Sequence, residues 1–301
     1  MKLVISASPH IDSGATTRKI MGDVLIALCP ALIAAIVIFG WRALLVTAVC
    51  AAACVFFEWG FEWLCHKEST IGDLSAVVTG VILAYNLPVS IPLWQAVFGC
   101  LVSIVAVKQL FGGIGKNFAN PALVGRIVLF LSFSKTMTAW VFPDAVSSAT
   151  PLAQLAAGQK PELLTLLLGS HGGCIGETCA LALLLGFAYL LIRRVVTWQT
   201  PVCFVGTVFL LSLILGQDAL AQVLSGGLLL GAIFMATDYS TSPCTAWGKV
   251  LFGIGAGLLT CLIRFYGSYA EGVSFAILFM NILTPYLSRW TQSKPLGGAK
   301  A

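Results

Sequence analysis

The sequence predicts an all-α polytopic membrane protein with about ten transmembrane helices, arranged as two inverted five-helix repeats with both termini in the cytoplasm. Hydrophobic residues make up 58% of the chain and charged residues only 10%, whereas soluble domains carry roughly a quarter charged residues. Apolar runs near the roughly 20 residues needed to cross a bilayer recur along the whole chain. A water-soluble fold of this length has too little interior to bury so much apolar surface.

Short polar loops separate the predicted spans, and tryptophans lie near many span ends, as is typical of residues at the membrane interface. The segment 1–21 before the first span is polar and lacks the apolar core of a secretory signal. We therefore expect this segment to stay in the cytoplasm. The ten predicted spans are 22–40, 43–64, 73–88, 92–111, 119–133, 178–192, 200–216, 219–236, 248–265 and 271–288.

The basic residues set the predicted orientation. With the N-terminus inside, most lysines and arginines fall on the cytoplasmic side, as the positive-inside rule requires. Only Arg42, Lys135, Lys160 and Arg264 fall on the other side. The chain then divides into a cytoplasmic segment (1–21), a first repeat (22–133), an extracytoplasmic loop (134–177), a second repeat (178–288) and a cytoplasmic tail (289–301). The net charge of +5 is scattered among loops, which argues against nucleic-acid binding.

An internal similarity supports the two repeats. The segment 79–86 resembles 231–238, and each is followed in the same order by a proline, a Phe-Gly pair and an aromatic-Gly pair. Five spans in each half would give the two repeats opposite orientations in the membrane. Transporters built in this way hold their sites at the interface between the repeats.

The stretch 144–154, DAVSSATPLAQ, places hydroxyl groups in a loop between apolar spans. One interpretation is a helix start, with Thr150 as N-cap and Pro151 at the first helical position. The other is that the Thr150 hydroxyl is an attachment point for a cofactor that bears a phosphate. The two interpretations are compatible.

Other polar stretches also interrupt the apolar pattern. Residues 110–126 form either a tight cytoplasmic turn or irregular backbone that lines a cavity. Asp238 lies among hydroxyl residues at a helix end, and Asn281 is expected to bond across helices. Cys174 and Cys179 flank a glycine-rich turn and are candidates for a disulfide. No histidine triad or metal cluster is expected, and no span carries a charge cluster that we assign as an ion site.

Six motifs along the chain occur together in one known family. They are TGVILAYNLP at 79–88, LFGGIGKNFANPAL at 110–123, DAVSSAT at 144–150, GCIGET at 173–178, FMATDYSTSP at 234–243 and YAEGVSFAILFMN at 269–281. In these motifs the chain resembles the family that includes the D subunit of the Rnf complex, an ion-translocating ferredoxin–NAD oxidoreductase, and the B subunit of the sodium-pumping NADH–quinone reductase. The resemblance covers nearly the whole chain, from about residue 18 to residue 289, and the shorter N-terminal segment favours the Rnf type.

The resemblance implies that Thr150 carries FMN through a phosphoester bond. The flavin-attachment signature of the family is matched by Asp144, Ser147, Ala149 and Thr150, whereas Ser148 stands where glycine is usual. The resemblance also implies that relatives hold a second, noncovalent riboflavin among the spans. We place that site near Gly112, Gly113, Asn117, Asn120 and Asp238.

The resemblance further implies a translocase subunit in the inner membrane of a prokaryote. Its partners would be the A, B, C, E and G subunits, especially the G subunit with its own FMN, while ferredoxin and NAD would act only indirectly. Electron transfer would be coupled to Na⁺ or H⁺ movement, and the sequence does not indicate which ion. Two alternatives are a flavin-free channel or transporter, in which Thr150 is only a helix cap, and a structural subunit of the same complex.

Overall fold

The computed structural model describes residues 15–140, 150–267 and 272–292, and within these ranges the chain is helical and contains no strand. The first half begins with two long helices that are joined at Gly40. A single 3₁₀ turn, Ile71–Asp73, precedes α3, and α4 continues without a break as a π-helix over Val102–Gln109. The helices of this half are α1 Thr17–Phe39, α2 Trp41–Leu64, α3 Ser75–Tyr85, α4 Leu93–Leu101 and α5 Pro121–Ser132.

Three short helices connect the halves, namely α6 Ser134–Met137, α7 Pro151–Ala156 and α8 Leu163–Leu168. The second half contains a discontinuous segment, in which α11 ends before Gly226 and Gly227 and the chain resumes as α12 and a π-helix over Gly231–Met235. Both glycines have positive φ, of +67° and +66°, which residues with a side chain rarely adopt. The helices are α9 Ala180–Ile192, α10 Gln199–Ile214, α11 Ala219–Leu224, α12 Leu228–Leu230, α13 Ala246–Tyr266 and α14 Val273–Trp290.

The helices support a membrane location. Three of them, α1, α2 and α13, are long and apolar enough to cross a bilayer, while α3, α5, α9 and α10 are apolar but shorter. Many large apolar side chains point outward, among them Val37 and Ile192, each 80% exposed, as expected of a surface that faces lipid. Each predicted span contains helix. The number of membrane crossings and the inverted symmetry stay predictions.

Close helix packing joins the two halves. Helix α1 packs against α9, and α5 packs against α14. A Cβ atom added at Gly186 on α9 would lie 2.3 Å from the carbonyl oxygen of Ala27 on α1. Small residues at such contacts let membrane helices approach closely. A glycine also allows α2 and α3 to pack closely, since a Cβ at Gly80 would lie 2.7 Å from the Cα of Ala51.

Candidate functional site

Thr150 is the N-cap of α7, as the Thr-Pro pair predicts. Its Oγ1 accepts a hydrogen bond from the backbone N–H of Ala153 at 3.3 Å, and Pro151 occupies the first helical position. The side chain is half-buried. The hydroxyl therefore caps the helix as an acceptor only, and its proton is left for another partner or for substitution. The remaining signature residues, Asp144, Ser147, Ser148 and Ala149, lie outside the described residues.

The helix that carries Thr150 is fixed to the second half. Leu155 on α7, Leu166 on α8 and Ala221 on α11 form a small apolar cluster of their own. Beside it, Arg264 on α13 binds the end of α11, donating from Nη1 to the carbonyl oxygen of Gln222 at 2.7 Å and from Nη2 to that of Ser225 at 2.9 Å. Helix α7, which begins directly after Thr150, thus packs against α11, the first part of the discontinuous segment.

Cys174 and Cys179, the two candidates for a disulfide, are not bonded to each other. The Sγ of Cys174 is 3.3 Å from the carbonyl oxygen of Asn86, and that of Cys179 is 3.6 Å from the carbonyl oxygen of Leu167. The glycine-rich turn that separates them is held against α3, since the N–H of Gly176 donates to the carbonyl oxygen of Tyr85 at 3.0 Å. Because of this turn, the two thiols contact carbonyl oxygens in different parts of the fold.

His171 in the same connection is buried, and burial lowers the pKa of its imidazole. In the unfolded chain the His171 imidazole binds a proton with the ordinary pKa of about 6.5, whereas in the folded chain it stays neutral to lower pH. The contribution of His171 to folding stability is therefore fully present above the unfolded pKa, and it is lost as the pH falls below that value. We expect His171→Gln to flatten the fall in melting temperature between about pH 7 and about pH 5. Exposed His66 provides the control, and an unchanged slope in His171→Gln would contradict the assignment.

A cleft opens at the other end of the core, between the two halves. Its enclosed volume is about 100 Å³. Apolar side chains of α1, α3 and the 231–235 π-helix form most of its wall. We call it the inner cavity. Its polar lining residues include Ser75, Thr79, Lys108, Asn117, Asn120 and Asp238.

The inner cavity brings together three of the residues that the resemblance suggests for a second flavin. Asn117, Asn120 and Asp238 all line it. Asn117 Nδ2 is 3.4 Å from the Oγ of Ser240, next to Asp238. Gly112 and Gly113 belong to the turn that leads to the cavity, and both have positive φ, of +113° and +94°. The polar stretch 110–126 is therefore both a tight turn and, in its second part, a cavity wall.

Hydrogen bonds fix several polar groups of the inner cavity. Asn120 caps α5 by accepting from the N–H of Ala122 at 3.0 Å, and its Nδ2 contacts the carbonyl oxygen of Met235 at 3.4 Å. With its amide oriented to satisfy both neighbours, Asn281 bonds Thr241 and the N–H of Asn120, each at 3.2 Å. Asn281 thus bonds across helices, as predicted. These bonds join the first half to the second around the cavity.

Burial raises the pKa of Asp238, although hydrogen bonds from Ser240 and Thr241 act in the opposite direction. Both hydroxyls donate to Asp238 Oδ2 at 3.0 Å. A carboxyl that is held in this way and lines a cleft is a polar anchor for a ligand with hydrogen-bond donors.

The structure brings together three buried charged residues that the sequence did not indicate as a group. Glu58 and Glu62 on α2 and Lys108 on the 102–109 π-helix are 0%, 3% and 2% exposed, and Lys108 Nζ lies 2.6 Å from Glu58 Oε1. The two glutamates are one helical turn apart in an apolar span, and ionisable residues inside a span suggest a functional role by default. Their lysine partner is distant in the sequence, so the pattern alone did not reveal the pair.

Known proteins resemble the whole chain. The model of the NQR2, RnfD, RnfE family matches residues 4–297. The D subunit of the Na(+)-translocating ferredoxin:NAD(+) oxidoreductase complex of Acetobacterium woodii is 45% identical, over 100% of this chain and 97% of its own. The D subunit of the proton-translocating ferredoxin:NAD(+) oxidoreductase complex of Clostridium ljungdahlii is 38% identical, over 97% and 96%. The chain therefore belongs to the NQR2, RnfD, RnfE family.

Proposed function

We propose that the chain is the D-type membrane subunit of an ion-translocating ferredoxin–NAD oxidoreductase and carries FMN on Thr150 through a phosphoester bond. The observation that supports this most is the position of Thr150 in a matching signature, at the start of a helix that packs on the second half. An ester oxygen keeps its lone pairs. The tether is therefore compatible with the bond that Thr150 Oγ1 accepts from Ala153.

We propose a second, noncovalent flavin such as riboflavin in the inner cavity. The apolar walls suit the ring system of a flavin, and the polar lining residues offer donors and acceptors for its ribityl and pyrimidine groups. When bound, flavins supply electron transfer in steps of one or two electrons, and the protein tunes this chemistry through contacts and charge. Asn117 and Asp238 would orient the ring, and Asn120 would hold the wall on which it rests.

The partners and the ion also belong to this proposal. The outward position predicted for Thr150 suits electron exchange with a G subunit that carries a similar FMN, within a complex that also contains A, B, C and E subunits. Electron transfer would be coupled to Na⁺ or H⁺ movement across the inner membrane of a prokaryote. Two relatives are named for different ions, one for Na⁺ and one for protons. Similarity alone therefore does not favour either ion.

Fluorescence of the denatured subunit in a gel tests the Thr150 tether. The chain is expressed with its flavin transferase as wild type, Thr150→Ala and Thr150→Asp. We expect a fluorescent wild-type band and two dark variant bands. Aspartate is a good N-cap but has no hydroxyl to esterify, so the second variant separates attachment from capping.

Thr245→Ala is the matched control, because Thr245 caps α13 through the N–H of Gly248 at 3.1 Å in the same way. This variant loses a cap worth about 1 kcal/mol and keeps its fluorescence. A fluorescent Thr150→Asp band would place the flavin elsewhere. A dark wild-type band, with a transferase that is active on another substrate, would favour a structural subunit or a channel.

A further inference from the structure

The buried charges next to the inner cavity form a continuous hydrogen-bonded chain. Lys108 Nζ donates to Glu58 Oε1 at 2.6 Å and to Ser75 Oγ at 2.6 Å. Glu58 Oε1 also contacts the Thr70 hydroxyl at 3.1 Å, and that hydroxyl makes a very short contact with Glu62 Oε1. Lys108 and Ser75 line the inner cavity, whereas Thr70 is exposed. These hydrogen bonds thus connect the cavity to the surface of the protein.

The number of hydrogen atoms that these contacts need implies one proton more than two ionised glutamates would hold. The Thr70 hydroxyl has a single hydrogen but lies within hydrogen-bond distance of two carboxyl oxygens, one from each glutamate. Only one of these contacts can use the hydroxyl hydrogen, so the other needs a proton on a carboxyl group. Glu58 Oε1 already accepts from the charged Lys108 and from Gln109. Glu62 has the neutral N–H of Thr70 as a donor, at 3.3 Å from Oε1 and 3.2 Å from Oε2, beside the Thr70 hydroxyl. We therefore assign the proton to Glu62.

The charge balance leads to the same result. Two carboxylates and one ammonium, all at most 3% exposed, would leave a net negative charge in the interior, which is costly. One proton makes the group neutral. Glu58 Oε2 is also buried and has no hydrogen-bond partner among residues 15–140, 150–267 and 272–292. Asp73, the next acid, is occupied as an acceptor from Ser75.

We propose that Glu62, Thr70, Glu58 and Lys108 form a proton-transfer path that binds one exchangeable proton and delivers it from the surface to the inner cavity. Helix α2, the loop after it and the 102–109 π-helix supply its members, and the path enters beside exposed Thr70. This part of the surface is predicted to face the cytoplasm. The delivery step rests on the proposed flavin in the cavity, whereas the proton-binding step does not.

The proton transfer balances along the path. Lys108 would release an Nζ proton toward the cavity, where a bound flavin, reduced by the electron donor of the complex, would supply the group that takes up protons. The hydroxyl proton of Thr70 then passes through Glu58 Oε1 to Nζ, while the Glu62 proton moves to Thr70. Lys108 is again an ammonium and Glu58 a carboxylate. Glu62 recovers its proton from water at the surface.

Infrared difference spectroscopy tests proton binding in the purified complex. Spectra of the oxidised complex are recorded in water and after exchange into deuterium oxide, for wild type, Glu62→Gln and Glu68→Gln. We expect wild type to show a protonated-carboxyl band that shifts in deuterium oxide, and we expect Glu62→Gln to lack it. Glu68 is an exposed glutamate in the same loop, so Glu68→Gln keeps the band. A wild-type spectrum without the band, or a band that survives in Glu62→Gln, would overturn the proposal.

Stopped-flow mixing with a pH-indicator dye tests delivery. Proton uptake that accompanies reduction of the noncovalent flavin is expected to slow by about 100-fold or more in Glu62→Gln and Lys108→Met, the range of general acid catalysis. Lys67→Met replaces an exposed lysine and serves as the control. Unchanged uptake in a complex that contains the noncovalent flavin would exclude the path. A complex without that flavin would instead refute the inner flavin site, and the infrared result would still decide proton binding.

In-gel fluorescence and elution of the intact complex verify that the variants fold. Glu62→Gln keeps the shape of the side chain and lies near the surface end of the path. If Lys108→Met does not assemble, the uptake rate of Glu62→Gln therefore decides whether protons are delivered along this path.

Discussion

Replacing Glu58 by alanine is expected to lower the free energy of unfolding by about 3–5 kcal/mol, the usual cost of removing one partner of a buried ion pair. The variant would leave the Lys108 ammonium, which is 2% exposed, without its carboxylate at 2.6 Å. Gln109 Nε2, which donates to the same oxygen at 2.9 Å, would also lose its partner. Thermal unfolding of the detergent-solubilised chain measures the loss.

The double variant Glu58→Met, Lys108→Met tests whether the ion pair itself accounts for this loss. Apolar replacement of both partners often leaves stability equal or improved, so the double variant should unfold close to the wild type. Glu68→Ala, at an exposed glutamate, should stay within about 0.5 kcal/mol of the wild type. A double variant as unstable as Glu58→Ala would show that the rest of the hydrogen-bonded chain, and not the ion pair, carries the stability.

Filling the inner cavity should abolish noncovalent flavin binding. Thr79 on α3 lines the cavity, and a tryptophan there would occupy the space that the ring needs. We expect Thr79→Trp to lose all flavin that is released by denaturation, and to keep the fluorescent band of the covalent flavin. Extraction of the purified complex followed by chromatography of the released flavin measures the first quantity, and the gel measures the second.

Val77→Trp is the control for this variant, because Val77 lies on the same helix and does not belong to the cavity wall. It should retain both flavins. Full noncovalent flavin in Thr79→Trp would show that the second flavin binds elsewhere, and loss of both flavins would indicate a folding defect.

Local signals in the sequence predicted the helical elements well. Unbroken apolar runs produced α1 and α2, and the Thr-Pro pair predicted the N-cap at Thr150, because a cap needs only adjacent residues. The π-helices over 102–109 and 231–235 and the break at Gly226 were missed. They result from packing inside the bundle, which overrides the local pattern.

The candidate sites were predictable to different degrees. The resemblance suggested Asn117, Asn120 and Asp238 as one group, and the structure places them around one cavity. The pairing of Glu58 with Lys108 depends on how α2 meets the later π-helix, so no local pattern contains it. The sequence also left the pairing of Cys174 and Cys179 open, because the contact of Cys174 with Asn86, a residue of the first half, depends on the tertiary fold.

The shortness of α3 has an electrical consequence. Its 11 residues extend about 17 Å at 1.5 Å per residue, well below the roughly 30 Å of the hydrocarbon layer. The inner cavity opens beside this helix, so water in its mouth would leave a thinner layer to carry the membrane potential. A potential of about 100 mV is worth about 2.3 kcal/mol for each elementary charge that crosses it. An electron moving between a flavin in the cavity and the opposite face would then work with or against most of that potential in a single transfer.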